Sequence, residues 1–275
     1  MIAHSRTLAL DQPQTRRAVL GLACGCACVG LVSTNASEAA PQYFDGCLLT
    51  DAGYQRYQSL GQATYRITDS LIARSRHFRT TGDTSLDRDL DRALSVIADL
   101  FKVNPAFGFY DPTQFRGSGG VETNVMNAFA TSENTDIPGT KGTVAFGWDL
   151  FQREFYQYDS SGMTIMAIAA HEFGHVVQSD RGYLSNIRTG VPLKSEINAD
   201  FLSGYFLGAR KRANPAIQFR SAGALFERLG VPGPMRTHGN SQERLDAAEA
   251  GFRVAYVDNK SLDDAVRAGL EYVGF

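Results

Sequence analysis

The apolar positions of this chain change their period from one stretch to the next. Over 51–79, Tyr54, Tyr57, Leu60, Tyr65, Ile67, Leu71 and Ile72 recur at roughly helical spacing, which predicts a helix. Gly82-Asp83 breaks it. Thr84 or Ser85 then offers a cap for a second helix, with Leu86, Leu90, Leu94, Ile97 and Leu100 along one side and Asn104-Pro105 as its end. Next come 106–110, 124–131 and 142–147, short runs of aromatic, β-branched and small apolar residues bounded by Gly, Pro, Asn and Asp. They predict a small sheet. Arg116-Gly-Ser-Gly-Gly120 between the first two reads as a turn. After Trp148 the pattern is helical to the end, most clearly over 161–178, 192–212, 215–229, 241–257 and 261–271. Helices, a small sheet and helices again predict an α+β domain.

The N-terminus has a different texture. Thr15-Arg16-Arg17 precedes an apolar run over 18–33, and Ser37-Glu38-Ala39-Ala40 places small side chains around a cut after Ala39. A basic start, a short apolar middle and a small-residue end describe a secretory signal over 1–39, leaving one domain over 40–275. The adjacent arginines and the glycine-rich run are similar to a twin-arginine signal; a general secretory signal has the same outline. The protein is therefore expected outside the cytoplasm of a bacterium, periplasmic or extracellular. Membrane contact is expected only if the segment stays uncleaved, since nothing after residue 40 is long and apolar enough to span.

Composition narrows the classes. The 275 residues are 43% hydrophobic and 20% charged, a globular and not a disordered balance. Lys+Arg is 27 and Asp+Glu 29. Removing Arg6, Arg16, Arg17, Asp11 and Glu38 with the signal leaves 24 and 27, a net charge of −3 on 40–275, which argues against a nucleic-acid partner. Cys24, Cys26 and Cys28 lie inside the signal, so Cys47 alone remains and no internal disulfide supports the exported domain.

The chemistry is concentrated at His171-Glu172-Phe173-Gly174-His175, an H-E-x-x-H motif. Its flanks, Met163, Ile165, Met166, Ile168, Ala169, Val176 and Val177, predict a buried helix. On a helix the two histidines are one turn apart and share a face, where two neutral imidazoles can bind one Zn²⁺. Glu172, beside the first of them, can act as general base. The alternative is a pair of helix histidines with an incidental glutamate. Against it, an unpartnered imidazole and carboxylate inside an apolar segment are costly.

A third ligand has to come from elsewhere. Gln178 and Arg181 stand where the metzincin pattern needs glycine and histidine, which excludes that class. Downstream is Glu196-Ile197-Asn198-Ala199-Asp200, inside a second apolar helix. Glu196 and Asp200 are one turn apart. The first can bind the metal while the second accepts the free N–H of a ligand histidine and fixes its tautomer. Two solvated acids on an amphipathic helix are the ordinary alternative. Arg210-Lys211-Arg212 reads as a favourable positive end to that helix.

H-E-x-x-H followed by E-x-x-A-D resembles the gluzincin metallopeptidases, most closely the M48 (Ste24/HtpX-like) family; the neutral zinc metallopeptidases are a close rival with the same mechanism. Asn127-Ala128-Phe129-Ala130 resembles that family's strand before the zinc helix, and Thr143-Val144-Ala145-Phe146 its following strand. His238 with Arg244 resembles its H-P-x-x-x-x-R element, with Gly239 in place of proline. The multi-span membrane helices of the best-known members are absent from the sequence. The resemblance implies one zinc per chain on His171, His175 and Glu196, with Glu172 as general base. It implies that His238 and Arg244 stabilise the tetrahedral oxyanion or shape the cleft. Asn127, Ala128, Phe129 and Ala130 would form an edge strand to which an extended protein or peptide substrate adds. The expected fold is a mostly helical zincin-like domain with a small edge-strand sheet beside the zinc helix. The expected function is an exported zinc metalloendopeptidase; the alternative is a non-enzymatic, zinc-stabilised or chaperone-like periplasmic module.

Overall fold

Two-residue strands β1 (Phe44–Asp45), β2 (Leu48–Leu49) and β3 (Tyr65–Arg66) join β4 (Ala106–Tyr110), β5 (Ala128–Thr131) and β6 (Thr143–Gly147) in one sheet of order β1-β2-β5-β6-β4-β3. This is a computed structural model. It describes residues 44–45, 48–49, 65–66, 84–110, 128–132, 139–188, 192–229 and 238–275. The expected signal over 1–39, the turn at 116–120, Cys47 and Asn127 lie outside the described residues, as does most of the helix expected over 51–79.

The centre of the sheet is β5-β6-β4. β6 runs antiparallel to β5, pairing Ala128 with Phe146 and Thr131 with Thr143, and parallel to β4, pairing Ala106 with Thr143 and Phe109 with Phe146. Every residue of β5 and β6 is buried. Strands covered on both faces need continuous apolar runs, which is what the sequence carries at these positions.

Two expectations are corrected here. Tyr65-Arg66, inside the expected helix, is a strand pairing antiparallel with Phe107 and Ala106. A helical period is a weak local preference, and the open side of β4 supplies main-chain partners that outweigh it. β5 is not a free edge strand: β2 pairs parallel with it at Leu48 and Ala130, so the chain's own main chain occupies that side at Ala130, where a substrate was expected to add.

Helix α1 (Thr84–Phe101) packs on the core through Leu90, Leu94, Ile97 and Phe101. Helix α2 (Trp148–Arg153) continues directly from β6 into a π-helical turn, Glu154–Tyr158. Trp148, Phe151 and Phe155 stack in sequence, with centroids 5.6 and 5.7 Å apart, and Phe109 meets both Trp148 and Phe151 edge-on. Buried Glu154 answers Arg153 and, at 2.8 Å, Arg228 of α6.

The remaining helices are α3 (Met163–Asp180), α4 (Leu184–Ile187), α5 (Leu193–Ala213), α6 (Arg220–Leu229), α7 (Ser241–Tyr256) and α8 (Leu262–Tyr272). α3 lies against β5 and β6 and is buried almost all round, as a helix apolar on every face must be. Asp159 accepts the Thr164 backbone N–H at 3.1 Å and so serves the start of α3. Asn240 and Glu243 form a reciprocal capping box at the start of α7. The closest helix packing is between α5 and α7. A Cβ on Gly204 would lie 1.9 Å from the Ala248 carbonyl oxygen, and one on Gly251 1.8 Å from that of Phe201. Bare glycines let the two backbones touch, and this brings Arg244 of α7 over Asp200 of α5.

The fold is thus mostly helical with a small sheet, an α+β arrangement. Among the described residues no helix is long and apolar enough to cross a membrane.

Candidate metal centre

The facing surfaces of α3 and α5 form the site. They approach because Gly174 has no side chain: a Cβ there would come within 3.3 Å of Ala199 Cα. The glycine inside H-E-x-x-H and the alanine inside E-x-x-A-D therefore share one task, bringing His171 and His175 within reach of Glu196. The three donors lie within 4.8 Å of one another, all buried, and could hold a metal ion. His171 Nε2 is 3.3 Å from Glu196 Oε2, and His175 Nε2 is 3.5 Å from Glu196 Oε1. The imidazole rings stand nearly perpendicular, at 88°.

Two observations fit a cation to this donor set. Nε2 of His171 and Nε2 of His175 are buried and make no hydrogen bond, a costly state that a metal relieves. Charge points the same way. Glu172, Glu196 and Asp200 are buried carboxylates, and Arg244 is the buried guanidinium beside them. Two negative charges are left for a cation or for protonated imidazoles to balance.

The titration of His171 reflects this. Burial opposes its imidazolium form, but the carboxylates of Asp200, Glu196 and Glu172 outweigh burial and raise it to about 10. Glu196 is also opposed by burial, yet the His238, His175 and His171 imidazoles hold its carboxyl well below the usual range. Glu172 is 1% exposed, and its charge reaches His171.

Each candidate histidine is held from behind by a different group. His171 Nδ1 donates to Asp200 Oδ1 at 2.8 Å. This is the arrangement the spacing of Glu196 and Asp200 predicts. His175 Nδ1 contacts Gln178 Oε1 at 3.0 Å. Sequence reading passed over Gln178. The available signal was its place, three residues after His175 on the same helix face, as a polar side chain in an otherwise apolar run.

His238 comes to the site, with Nε2 3.6 Å from Glu196 Oε2. The glycine that follows it, where the resembled element has proline, has a local reason. Gly239 takes φ +84°, which proline, fixed near −65°, cannot adopt. Arg244 sits against Asp200. Its Nε and Nη2 donate to the two oxygens of Asp200, and its Nη1 donates to the Leu229 carbonyl at 3.3 Å. Its guanidinium thus stands behind Asp200 and is engaged by that carboxylate.

No family model, curated protein or solved structure matches this chain.

Proposed function

We propose that this protein is a zinc-dependent metalloendopeptidase of the gluzincin kind, with the M48 family, or the neutral zinc metallopeptidases beside it, as its kin. One observation carries the reading: His171, His175 and Glu196 converge from two helices while Glu172 of the same motif is buried within electrostatic reach of His171. Two imidazoles and one carboxylate are a donor set that suits zinc and leaves a fourth position open.

Zinc held by these residues supplies Lewis acidity, making water acidic near neutral pH and polarising a scissile carbonyl. The protein's own groups do the rest. Glu172 takes the proton of the attacking water and returns it to the leaving amine. Asp200 accepts a hydrogen bond from the Nδ1–H of His171, which leaves the Nε2 lone pair for the ion. His238 is the group we assign to the tetrahedral oxyanion. The substrate is a protein or peptide, and the segment over 1–39 directs the chain to the periplasm or beyond.

The test is zinc content and cleavage of casein or a peptide library by the purified protein beside Glu172→Gln. The amide keeps the shape but cannot take a proton. The variant is expected to retain one zinc per chain and lose about 10²–10⁴-fold in turnover. Zinc without cleavage in the wild type would instead favour a zinc-stabilised binding module, and equal turnover in the two proteins would remove Glu172 from the mechanism.

A further inference from the structure

Gln178 lies wholly inside the protein, where a neutral amide has no solvent to satisfy it. Its three contacts are to the two helices of the site. Oε1 meets His175 Nδ1 at 3.0 Å, while Nε2 donates to the Ser195 carbonyl at 2.7 Å and to Asn198 Oδ1 at 3.1 Å. Ser195 precedes Glu196 directly, and Asn198 follows it by two residues on α5.

These contacts fix one another in order. A backbone carbonyl only accepts hydrogen bonds, so the group facing Ser195 must be the amide nitrogen. That orientation turns Oε1, an acceptor only, toward His175. His175 must then carry its proton on Nδ1, and its Nε2 is the nitrogen aimed at Glu196. The Asn198 end is held too: Tyr183 donates its hydroxyl to Asn198 Oδ1 at 3.4 Å.

We propose that Gln178 is a positioning residue of the metal centre, which sets the tautomer and ring orientation of His175 and ties that histidine to the backbone of the helix carrying Glu196. The two candidate histidines are thereby oriented independently. His171 is held by a carboxylate under an arginine, His175 by an uncharged amide under a backbone carbonyl. The neutral choice has a physical reason. A carboxylate at 178 would add a further buried negative charge and would face the Ser195 carbonyl oxygen with a second oxygen, two acceptors without a proton between them. The inference rests on the metal-centre reading, but its central claim concerns the protein without metal.

The experiment is ¹⁵N NMR of the histidine imidazoles in the metal-free wild type at pH 8, with His175 assigned from His175→Gln. Nδ1 of His175 is expected to be protonated; finding Nδ1 as the unprotonated nitrogen overturns the proposal with no mutation of Gln178 needed. Zinc affinity by chelator competition follows for Gln178→Leu and Gln178→Glu. The leucine variant is expected to bind about 10–100-fold more weakly, with His175 redistributed toward its other tautomer. The glutamate variant still accepts from Nδ1 but faces the Ser195 carbonyl with an oxygen, so it is expected to keep His175 protonated on Nδ1 while being less stable than wild type. Affinity and tautomer in Gln178→Leu equal to wild type would overturn the assignment. A wild type that binds no zinc while showing the Nδ1 proton would refute the metallopeptidase reading and leave the tautomer lock standing.

Discussion

Arg244 grips Asp200 with two parallel hydrogen bonds, Nε to Oδ2 at 2.8 Å and Nη2 to Oδ1 at 2.7 Å, both residues buried. The same Oδ1 accepts from His171. Arginine, carboxylate and imidazole thus form one relay running from α7 through α5 to α3. A flat guanidinium can make this fork and an ammonium cannot.

Breaking the pair from one side should be costly. Arg244→Leu leaves Asp200 buried without its guanidinium partner and is expected to destabilise by about 3–5 kcal/mol. Arg244→Leu/Asp200→Leu should recover much of that loss, while zinc affinity stays reduced because His171 has lost its acceptor. Urea unfolding of the metal-free variants measures it, and strictly additive single-variant losses would deny the coupling.

Glu196 and Asp200 should differ in what they do for the metal. Glu196→Gln removes the charge of a converging ligand and is expected to release zinc more readily than Asp200→Asn, which leaves the three converging residues in place and weakens the acceptor behind His171, by about 10–100-fold. Chelator competition gives the order directly. The reverse order would make Asp200 the third ligand.

Protons and metal should compete at His171. Without metal its pKa is raised from 6.5 to about 10, so near pH 8 the ring is charged and must lose a proton to bind an ion. Binding there is expected to release about one proton from this residue. Calorimetry in buffers of different ionisation heat measures the release. The sign for stability is opposite. A raised pKa stabilises the metal-free fold fully below about 6.5, and this contribution disappears as pH rises through 10. Metal-free protein should therefore lose stability across that window, and Asp200→Asn should flatten the loss. A flat wild-type profile would contradict the charge on His171.

Glycines in similar helices should respond in opposite ways. Gly204→Ala would drive a methyl to 1.9 Å from the Ala248 carbonyl. It must separate α5 from α7 and is expected to unfold the protein or cost more than the usual 1–3 kcal/mol of overpacking. Gly223 in α6 has nothing within 4 Å of an added Cβ, so Gly223→Ala is expected to stabilise by about 0.4–1 kcal/mol. Thermal melts of both decide it, and a benign Gly204→Ala would refute the close approach of the two helices.

Local pattern sufficed where covalent geometry sets the spacing. The second helix, 84–101, ends where Asn104-Pro105 makes it end, and β4 occupies its aromatic run at 106–110. His171 and His175 share a face because four residues make about one helical turn, and the same rule sets Asp200 behind the site once Glu196 faces it. Tertiary structure decided whatever depends on a partner from another segment. Tyr65-Arg66 became a strand because β4 offered it main-chain bonds, and β5 lost its edge to Leu48 for the same reason. Arg244 reaches the back of Asp200 because α7 can lie directly on α5 only where Gly204 and Gly251 have no side chains. Gln178 acquired a role only when Ser195, 17 residues away in the chain, turned its carbonyl toward it. Periodicity tells a residue which way to point along its own helix. Which atom waits there is set by how closely two backbones can approach, a property of both helices together.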